Sequence, residues 1–386
     1  MSRLLYIMAT AALVTLVAVS PARADDWDLN LGRLCMLKLS NGQTMDCGGG
    51  YDTSKGTPQV VVDNAAFRAL MSELGVIFAP NILNPADTHG IAGFSFNVEL
   101  GWTGINPKNR SKDPDIEKID NAAKGEYYYW RAAKSVSHQT FQTGHVRDDE
   151  ANNSRLRREL PSSFAPHVTV MARKGFWFPV PSFEMGVGVR YLIGSRMWAP
   201  MASVKVALHE GFQGWPLPAL AVRGSGARLM GTPGFNLTVA GLDFSISKHL
   251  GVASTFNLTP YAGYQLLWII ADSEVLDATP GIDAMGQTTA VHKDNPAKWH
   301  ACNTGDCWTG NFAFDDQSNI TRHRFFIGLR ANFYIATLML EYTYFAGGAT
   351  SDTIYRQSGA TAAVPLEIAD ASGAQHTFSF SIGLDY

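Results

Sequence analysis

From Ile91 onward, apolar and polar residues alternate with a period of two, the pattern of strands that show one face to an apolar medium and the other to a polar one. Phe94, Phe96, Val98, Leu100 and Trp102 oppose Ser95, Asn97, Glu99, Gly101 and Thr103. Phe183, Met185, Val187, Val189 and Tyr191 oppose Glu184, Gly186, Gly188 and Arg190. The same alternation recurs near residues 164–174, 198–209, 218–229, 236–248, 256–271, 322–333, 337–346 and 375–386. The expected fold is therefore all-β: a transmembrane antiparallel up-and-down β-barrel of about ten strands, an even number as single-chain bacterial barrels require. Twelve strands follow if the aromatic run Tyr127 to Trp130 starts a further hairpin.

The connections sharpen this picture. Long links at residues 105–163, 272–321 and 347–374 all follow odd-numbered strands and so share one rim, whereas links after even strands are short. Outer-membrane barrels carry long loops outside and short turns in the periplasm. This asymmetry places both mature termini in the periplasm.

Charge placement agrees with a barrel wall. Glu99, Arg173, Glu184, Arg190, Lys205, Arg223, Asp243, Arg324, Arg330 and Glu341 all take the inward parity. A charge on the lipid face near mid-bilayer would cost roughly 2–4 kcal/mol. These ten residues are the expected lumen lining, either as paired filling of a narrow barrel or as a selective, substrate-lining set. Mean hydropathy is only −0.04 although 46% of residues are hydrophobic, as alternation predicts. No apolar run after the leader is long enough for a membrane helix. The net charge of −3 carries little information, and no basic stripe suggests a nucleic-acid partner.

The first 90 residues depart from the pattern. Arg3, the apolar stretch Leu4 to Val19 and Ala22-Arg23-Ala24 make a secretory signal peptide, residues 1–24, so the mature chain is expected to start at Asp25. Residues 25–90 form a separate periplasmic or plug segment ahead of the barrel, residues 91–386. Within it, Cys35 and Cys47 flank the hairpin loop Ser40-Asn41-Gly42, whose register sets the two cysteines opposite each other. In an oxidising compartment this favours a disulfide over a metal pair. Asp63 is placed to cap a short helix with Phe67, Leu70, Met71 and Leu74 on one face and Gly75 at its end. The turn Asn84-Pro85-Ala86-Asp87 then leads into the first strand. This helix either plugs the lumen or caps the periplasmic mouth.

The long loops hold the remaining chemistry. Cys302 and Cys307 lie with His292 and His300 at spacings that match no standard zinc site, so a loop disulfide is expected and no metal. His145 lies near Asp148 and Asp149. No catalytic constellation, nucleotide loop or cofactor motif is present.

The closing strand carries a resemblance. Phe378, Phe380, Ile382, Leu384 and Tyr386 alternate with Thr377, Ser379, Ser381, Gly383 and Asp385, ending on an aromatic. This resembles the carboxyl-terminal signature of Gram-negative outer-membrane β-barrel proteins. It implies a location in the outer membrane among lipid and lipopolysaccharide, and recognition of the last strand by the assembly machinery. Trp198-Ala-Pro-Met-Ala, Pro218-Ala-Leu-Ala-Val-Arg-Gly-Ser225 and Leu258-Thr-Pro-Tyr-Ala-Gly-Tyr264 are similar to segments of uncharacterised outer-membrane barrels from δ-proteobacteria. Asn84-Pro85-Ala86 is similar to the amino-terminal hatch of fatty-acid transporters. Omptin proteases also use a ten-strand barrel, but their acidic and histidine pattern is not reproduced, nor is the His-x-Ser strand pattern of outer-membrane phospholipase. The expected function is a non-enzymatic, passive or selective channel for small solutes. The alternatives are a closed barrel displaying its loops for surface contact or adhesion, and an outer-membrane hydrolase. The oligomeric state is open.

Overall fold

The ten alternating segments become ten strands that close on themselves in the computed structural model. It describes residues 27–38, 44–46, 59–80, 82–113, 128–133, 160–176, 182–210, 217–253, 256–277, 311–356 and 364–386. A three-stranded sheet comes first: β1 (Cys35–Lys38), β2 (Thr44–Asp46) and β3 (Gln59–Val62), in the order β2-β1-β3. Helix α1 (Asn64–Ile77) follows. The wall is built from β4 (Phe94–Gly104), β5 (Phe164–Phe176), β6 (Phe183–Leu192), β7 (Trp198–His209), β8 (Ala219–Arg228) and β9 (Phe235–Ser247). After the short β10 (Leu250–Ala253) it continues with β11 (Phe256–Ser273). The pair β12 (Leu276–Asp277) and β13 (Asn311–Phe312) precedes β14 (Gln317–Phe333) and β15 (Ala336–Phe345). The hairpin β16 (Ser351–Arg356) and β17 (Val364–Ala369) leads to the closing β18 (Gln375–Asp385).

Every wall strand pairs antiparallel with its sequence neighbour among the ten, and β18 closes onto β4 through Ile382↔Val98 and Asp385↔Ser95. Closure leaves no open edge, which a lipid-exposed sheet could not satisfy. The wall is thus a closed antiparallel ten-strand barrel. The expected alternative of twelve strands fails at residues 128–133. Tyr128 makes only an isolated bridge to Arg110, and Tyr129–Ala132 coil into a single 3-10 turn.

Outward positions along the wall are apolar and exposed, among them Leu100, Val187, Phe244, Ile327, Leu340 and Ile382. Aromatics gather at both ends: Trp102, Phe164 and Trp198 at one, Phe94, Phe176, Phe333 and Tyr386 at the other. Such girdles mark the two membrane interfaces. The short turns share the Phe94 end, called here the turn rim. There Tyr334-Ile335 joins β14 to β15 with Phe333 paired to Ala336, and Tyr334 takes a φ of 53°. The long connections share the opposite, loop rim.

The chain enters this barrel from an unexpected side. Trp27 N–H donates to the Gly194 carbonyl and Asn30 N–H to the Ala132 carbonyl, both at the loop rim. Tyr386 N–H instead donates to Phe94 O at the turn rim. The first and last described residues therefore sit at opposite ends of the barrel, so the expectation that both termini lie in the periplasm does not fit this geometry. The amino-terminal hairpin and helix, expected on the periplasmic side, lie with the long loops. From there, residues 63–89 run down the inside of the barrel to the start of β4.

Asp63 caps α1 as expected, accepting a hydrogen bond from Ala66 N at 2.8 Å. The helix runs nearly four turns, past Gly75, and all 14 of its residues are buried. Gly75 does not end it. A Cβ there would lie 2.6 Å from the Ile269 side chain, so the glycine lets the helix approach β11 closely. Around α1 the inward wall is itself apolar: Phe235, Leu237, Val239, Leu267, Ile269 and Phe345 share one core with Phe67, Leu70 and Leu74. Phe67 stacks on Phe314 with ring centroids 4.6 Å apart. The inward face of β9 thus changes along its length, from Phe235, Leu237 and Val239 near the loop rim to Asp243, Ser245 and Ser247 near the turn rim.

Candidate functional site

Below the helix, the interior is a contact between an irregular backbone and a charged wall. An irregular segment cannot satisfy its own carbonyls, so buried ones need donors from elsewhere. Inward basic side chains supply them. Arg190 Nη1 donates to Ile77 O (2.9 Å) and Ala79 O (2.8 Å), and Arg324 Nη1 to Pro80 O at 3.0 Å. Arg223 Nη1 donates to Ile82 O at 2.8 Å, and Lys205 Nζ to Pro85 O (3.1 Å) and Asp87 O (2.7 Å). Four cations on four strands thus bind six successive or near-successive carbonyls.

All ten inward residues singled out from the sequence are buried in the barrel interior. Most are paired there: Arg223 with Asp243 at 3.0 Å, Lys205 with Glu184 at 3.2 Å, Arg324 with Glu341 at 3.3 Å and Arg190 with Glu99 at 3.8 Å. Arg330 instead pairs with Asp87 of the threaded segment at 2.5 Å. Pairing of this kind offsets the large desolvation cost of each charge. Among the described residues Arg173 has no carboxylate at ion-pair distance.

Asn84-Pro85-Ala86-Asp87, which reads as a turn, is the junction of this network. Asn84 Nδ2 donates to Glu184 Oε1 at 2.7 Å, Ala86 N to Ser247 Oγ at 3.1 Å, and His249 Nε2 lies 3.2 Å from Asp87 Oδ2. At the turn rim, His89 Nδ1 lies 2.7 Å from Glu184 Oε2 and its Nε2 lies 3.6 Å from Asp385 Oδ1. Burial works against a charge on His89, but Glu184 and then Asp385 outweigh it and raise its pKa, with Lys205 opposing. A raised histidine pKa stabilises the fold fully below about 6.5, the unperturbed value, and loses that contribution as pH rises through the folded value. Urea midpoints of the detergent-folded protein should therefore fall from pH 6 to pH 9 by more than those of His89→Gln. The contact is a hydrogen bond to a charged group, a kind that contributes about 1.5–3 kcal/mol. Parallel curves for the two proteins would remove His89 as a latch.

At the loop rim, charged groups on α1 tie the long connections together. Glu73 Oε1 accepts from Tyr129 Oη, from Gly373 N at 3.0 Å and from Asn109 Nδ2 at 3.3 Å, and Oε2 from Trp130 Nε1 at 2.5 Å. Residues from the first and third long connections thus meet on one carboxylate. Arg68 donates to Gln317 Oε1 (2.6 Å), Asn319 Oδ1 (2.7 Å) and Thr350 Oγ1 (2.8 Å). Arg322 donates to Ser72 Oγ at 3.0 Å, Ser372 Oγ at 2.7 Å and Gly373 O at 2.8 Å. Ser111 Oγ donates to Asp63 at 2.6 Å, and burial pushes the Asp63 carboxyl up to about 6 against that bond and the Ala66 amide. Trp27 packs edge-on against Trp130 with centroids 5.8 Å apart, joining the segment ahead of the amino-terminal sheet to the first connection.

Sequence parity found the wall residues but missed Arg68, Glu73, Asp87, His89 and Arg322. Arg68 and Glu73 carried a signal, since two charges inside an otherwise apolar helix need buried partners. Cys35 is buried and holds no free thiol. Its expected partner Cys47, together with Cys302, Cys307, His145, His292 and the signal peptide, lies outside the described residues.

A closed antiparallel wall with an apolar exterior, aromatic girdles and a polar, filled interior defines an outer-membrane β-barrel. No family model and no curated protein matches the chain. Among solved structures it is similar to Ail, the attachment invasion locus protein of Yersinia pestis, at 8% identity and a TM-score of 0.20, covering 77% of this chain and 99% of that one. It is also similar to the transport unit of the autotransporter AIDA-I from Escherichia coli (7% identity, TM-score 0.29, 84% of this chain and 98% of that one). A third is OmpT, an outer membrane protein of Vibrio cholerae (12% identity, TM-score 0.23, 80% of this chain and 100% of that one). Likenesses this distant carry no reading of function.

Proposed function

We propose that this protein is a self-plugged barrel that acts at its loop rim, presenting the three long connections and the amino-terminal sheet to molecules outside the cell. The observation that carries this reading is the threaded segment, whose carbonyls from Ile77 to Asp87 are bound by wall cations on β6, β7, β8 and β14. A lumen filled and bonded in this way leaves the channel reading, favoured by the polar inward face, as the weaker one. Glu73, Arg68 and Arg322 give the rim a fixed shape, which is what a recognition surface needs. The hydrolase alternative rests on His145 and His292 alone.

The long connections are taken as extracellular on the general rule for such barrels, and the outward face as covered by outer-membrane lipid and lipopolysaccharide. β18 closes against β4, where the assembly machinery would meet the last strand. In the amino-terminal sheet Met36 pairs with Asp46, and Cys35, which holds no free thiol, is taken as the disulfide partner of Cys47, as the hairpin pattern of the sequence and an oxidising compartment favour.

Planar-bilayer recordings and liposome-swelling assays test the plug. The full-length protein should give no steady conductance and no solute uptake. Replacing residues 63–89 by a flexible Gly/Ser linker of equal length should open a pore. Steady conductance from the full-length protein would restore the channel reading.

A further inference from the structure

The outward face of the wall carries a furrow of about 860 Å³, and the strand register gives its course. Residues paired across neighbouring strands stand in rows that cross the sheet, and every second row points outward. One outward row runs Trp102, Phe378, Tyr342, Ile327, Ala262 and Ile246, through β4, β18, β15, β14, β11 and β9. The next outward row toward the turn rim runs Phe380, Leu340, Leu329 and Pro260, through β18, β15, β14 and β11. It ends at Lys248, whose backbone N–H donates to the Pro260 carbonyl at 3.2 Å. Both rows line the furrow, which is the trough between them. On β11 the two walls are only Ala262 and Pro260, so the protein does not fill the trough with its own side chains there.

Position and dimensions identify the occupant. Ile246, Ile327, Leu340 and Phe378 are exposed on the lipid-facing side, where a polypeptide with open backbone groups has no place. Five strand spacings of about 4.8 Å make the trough roughly 24 Å long. Barrel strands tilt by about 35–45°, so a row perpendicular to them climbs obliquely, here from Ile246 near the turn rim toward Trp102 near the loop rim. One leaflet of the roughly 30 Å hydrocarbon core is about 15 Å deep, and a chain lying obliquely within it needs a path of this length. The two ends differ. Lys248 Nζ donates to Leu217 O at 3.2 Å, which holds a positive charge at the turn-rim mouth, and an ammonium there attracts a lipid phosphate as a point charge. The other end closes on Trp102 and on Tyr342, whose hydroxyl lies 2.7 Å from His376 Nδ1.

We infer that this furrow is a binding site for one acyl chain of a glycerophospholipid from the turn-rim leaflet, with the phosphate at Lys248 and the chain climbing between the two rows toward Trp102. Side chains flank the chain on two sides and the strands lie beneath it, so the lipid stays with the wall instead of exchanging like its neighbours. The site belongs to the wall alone and is independent of the plug and of what the loop rim binds.

The test is the lipid that full-length protein from outer membranes retains after extensive washing in detergent, counted by native mass spectrometry and identified after organic extraction. The wild type should keep a single glycerophospholipid. Ala262→Trp, which sets an indole in the trough, should lose it, and Lys248→Gln should lower the retained amount several-fold. Val187→Trp, at an outward position of β6 outside the furrow, should retain it like the wild type. Heat-modifiable migration on gels shows which variants are folded, and if Ala262→Trp is not, Lys248→Gln against Val187→Trp decides the matter. The inference is overturned if the washed wild type holds no lipid, or if the folded Ala262 and Lys248 variants hold as much as the wild type. It is equally overturned if the retained lipid is lipopolysaccharide and indifferent to Lys248, which would put the headgroup at the loop rim.

Discussion

An epitope tag placed just before Trp27 is expected to be reached by antibody on intact cells, whereas a tag in the turn Tyr334-Ile335 between β14 and β15 is reached only after the outer membrane is breached. The expected contrast is nearly all-or-none. Trp27 and Asn30 are hydrogen-bonded to residues of the loop rim, and Asp28 accepts from Arg196 N there at 2.9 Å. The chain then needs residues 63–89 to reach Phe94, at the opposite rim. Fourteen residues of helix at 1.5 Å rise cover about 21 Å, and the partly extended segment after it covers the rest of a hydrocarbon core of about 30 Å. A periplasmic amino terminus would require this segment to leave its partners on β6, β7, β8 and β14. A tag before Trp27 that is protected on intact cells and exposed in the periplasm would reject the threaded path.

Asp87→Ala is expected to be the most destabilising single change in the lower interior, by about 3–5 kcal/mol, the range found when one partner of a buried ion pair is removed. Asp87 is 6% exposed and faces Arg330 at 2.5 Å, His249 at 3.2 Å and the Ser247 hydroxyl at 3.3 Å. Its loss leaves the Arg330 guanidinium in a desolvated site without its counter-charge. Asp28→Ala, which breaks the exposed pair with Arg196 at 3.9 Å, should cost less than about 1 kcal/mol. The double change Asp87→Asn with Arg330→Gln should recover much of the loss, because both charges leave together. Urea unfolding of the four proteins reads this out. Equal destabilisation by Asp87→Ala and Asp28→Ala would mean that the threaded segment is not seated on Arg330.

The wall was legible because lipid acts on every second residue. Phe94 to Thr103, Phe183 to Arg190 and Phe378 to Asp385 keep strict parity over whole strands, and a one-residue slip would put Glu99 or Arg190 into hydrocarbon. The strand ends expected from the pattern therefore fall close to those observed. What fills the barrel was not legible in the same way, because period-two alternation reports the outer surface and is silent about the occupant. Asn84-Pro85-Ala86-Asp87 has the residues of a turn, yet an irregular segment whose polar groups are satisfied by a surrounding wall uses the same residues. Gly75 looked like a helix stop and is a close approach to Ile269. One signal was available: Phe235, Leu237 and Val239 on β9, with Leu267 and Ile269 on β11, put large apolar side chains on the inward parity near the loop rim. Such a surface needs an apolar partner inside, and the face of α1 formed by Phe67, Leu70 and Leu74 is the one it has. The amino-terminal segment was expected at the other rim for a related reason. Loop lengths orient the strands, but they do not say from which side the chain reaches the first of them.

Cysteine cross-linking reads out whether α1 lies inside the barrel against β11. A Cβ at Gly75 would approach the Ile269 side chain to 2.6 Å, so cysteines at these two positions lie close enough to bridge with a small shift of the helix. In Gly75→Cys/Ile269→Cys protein isolated from outer membranes, peptide mass spectrometry should find the 75–269 bridge in most molecules, formed within one chain. A folded, heat-modifiable barrel in which cysteines 75 and 269 stay reduced, or react with a water-soluble thiol reagent, would contradict the account.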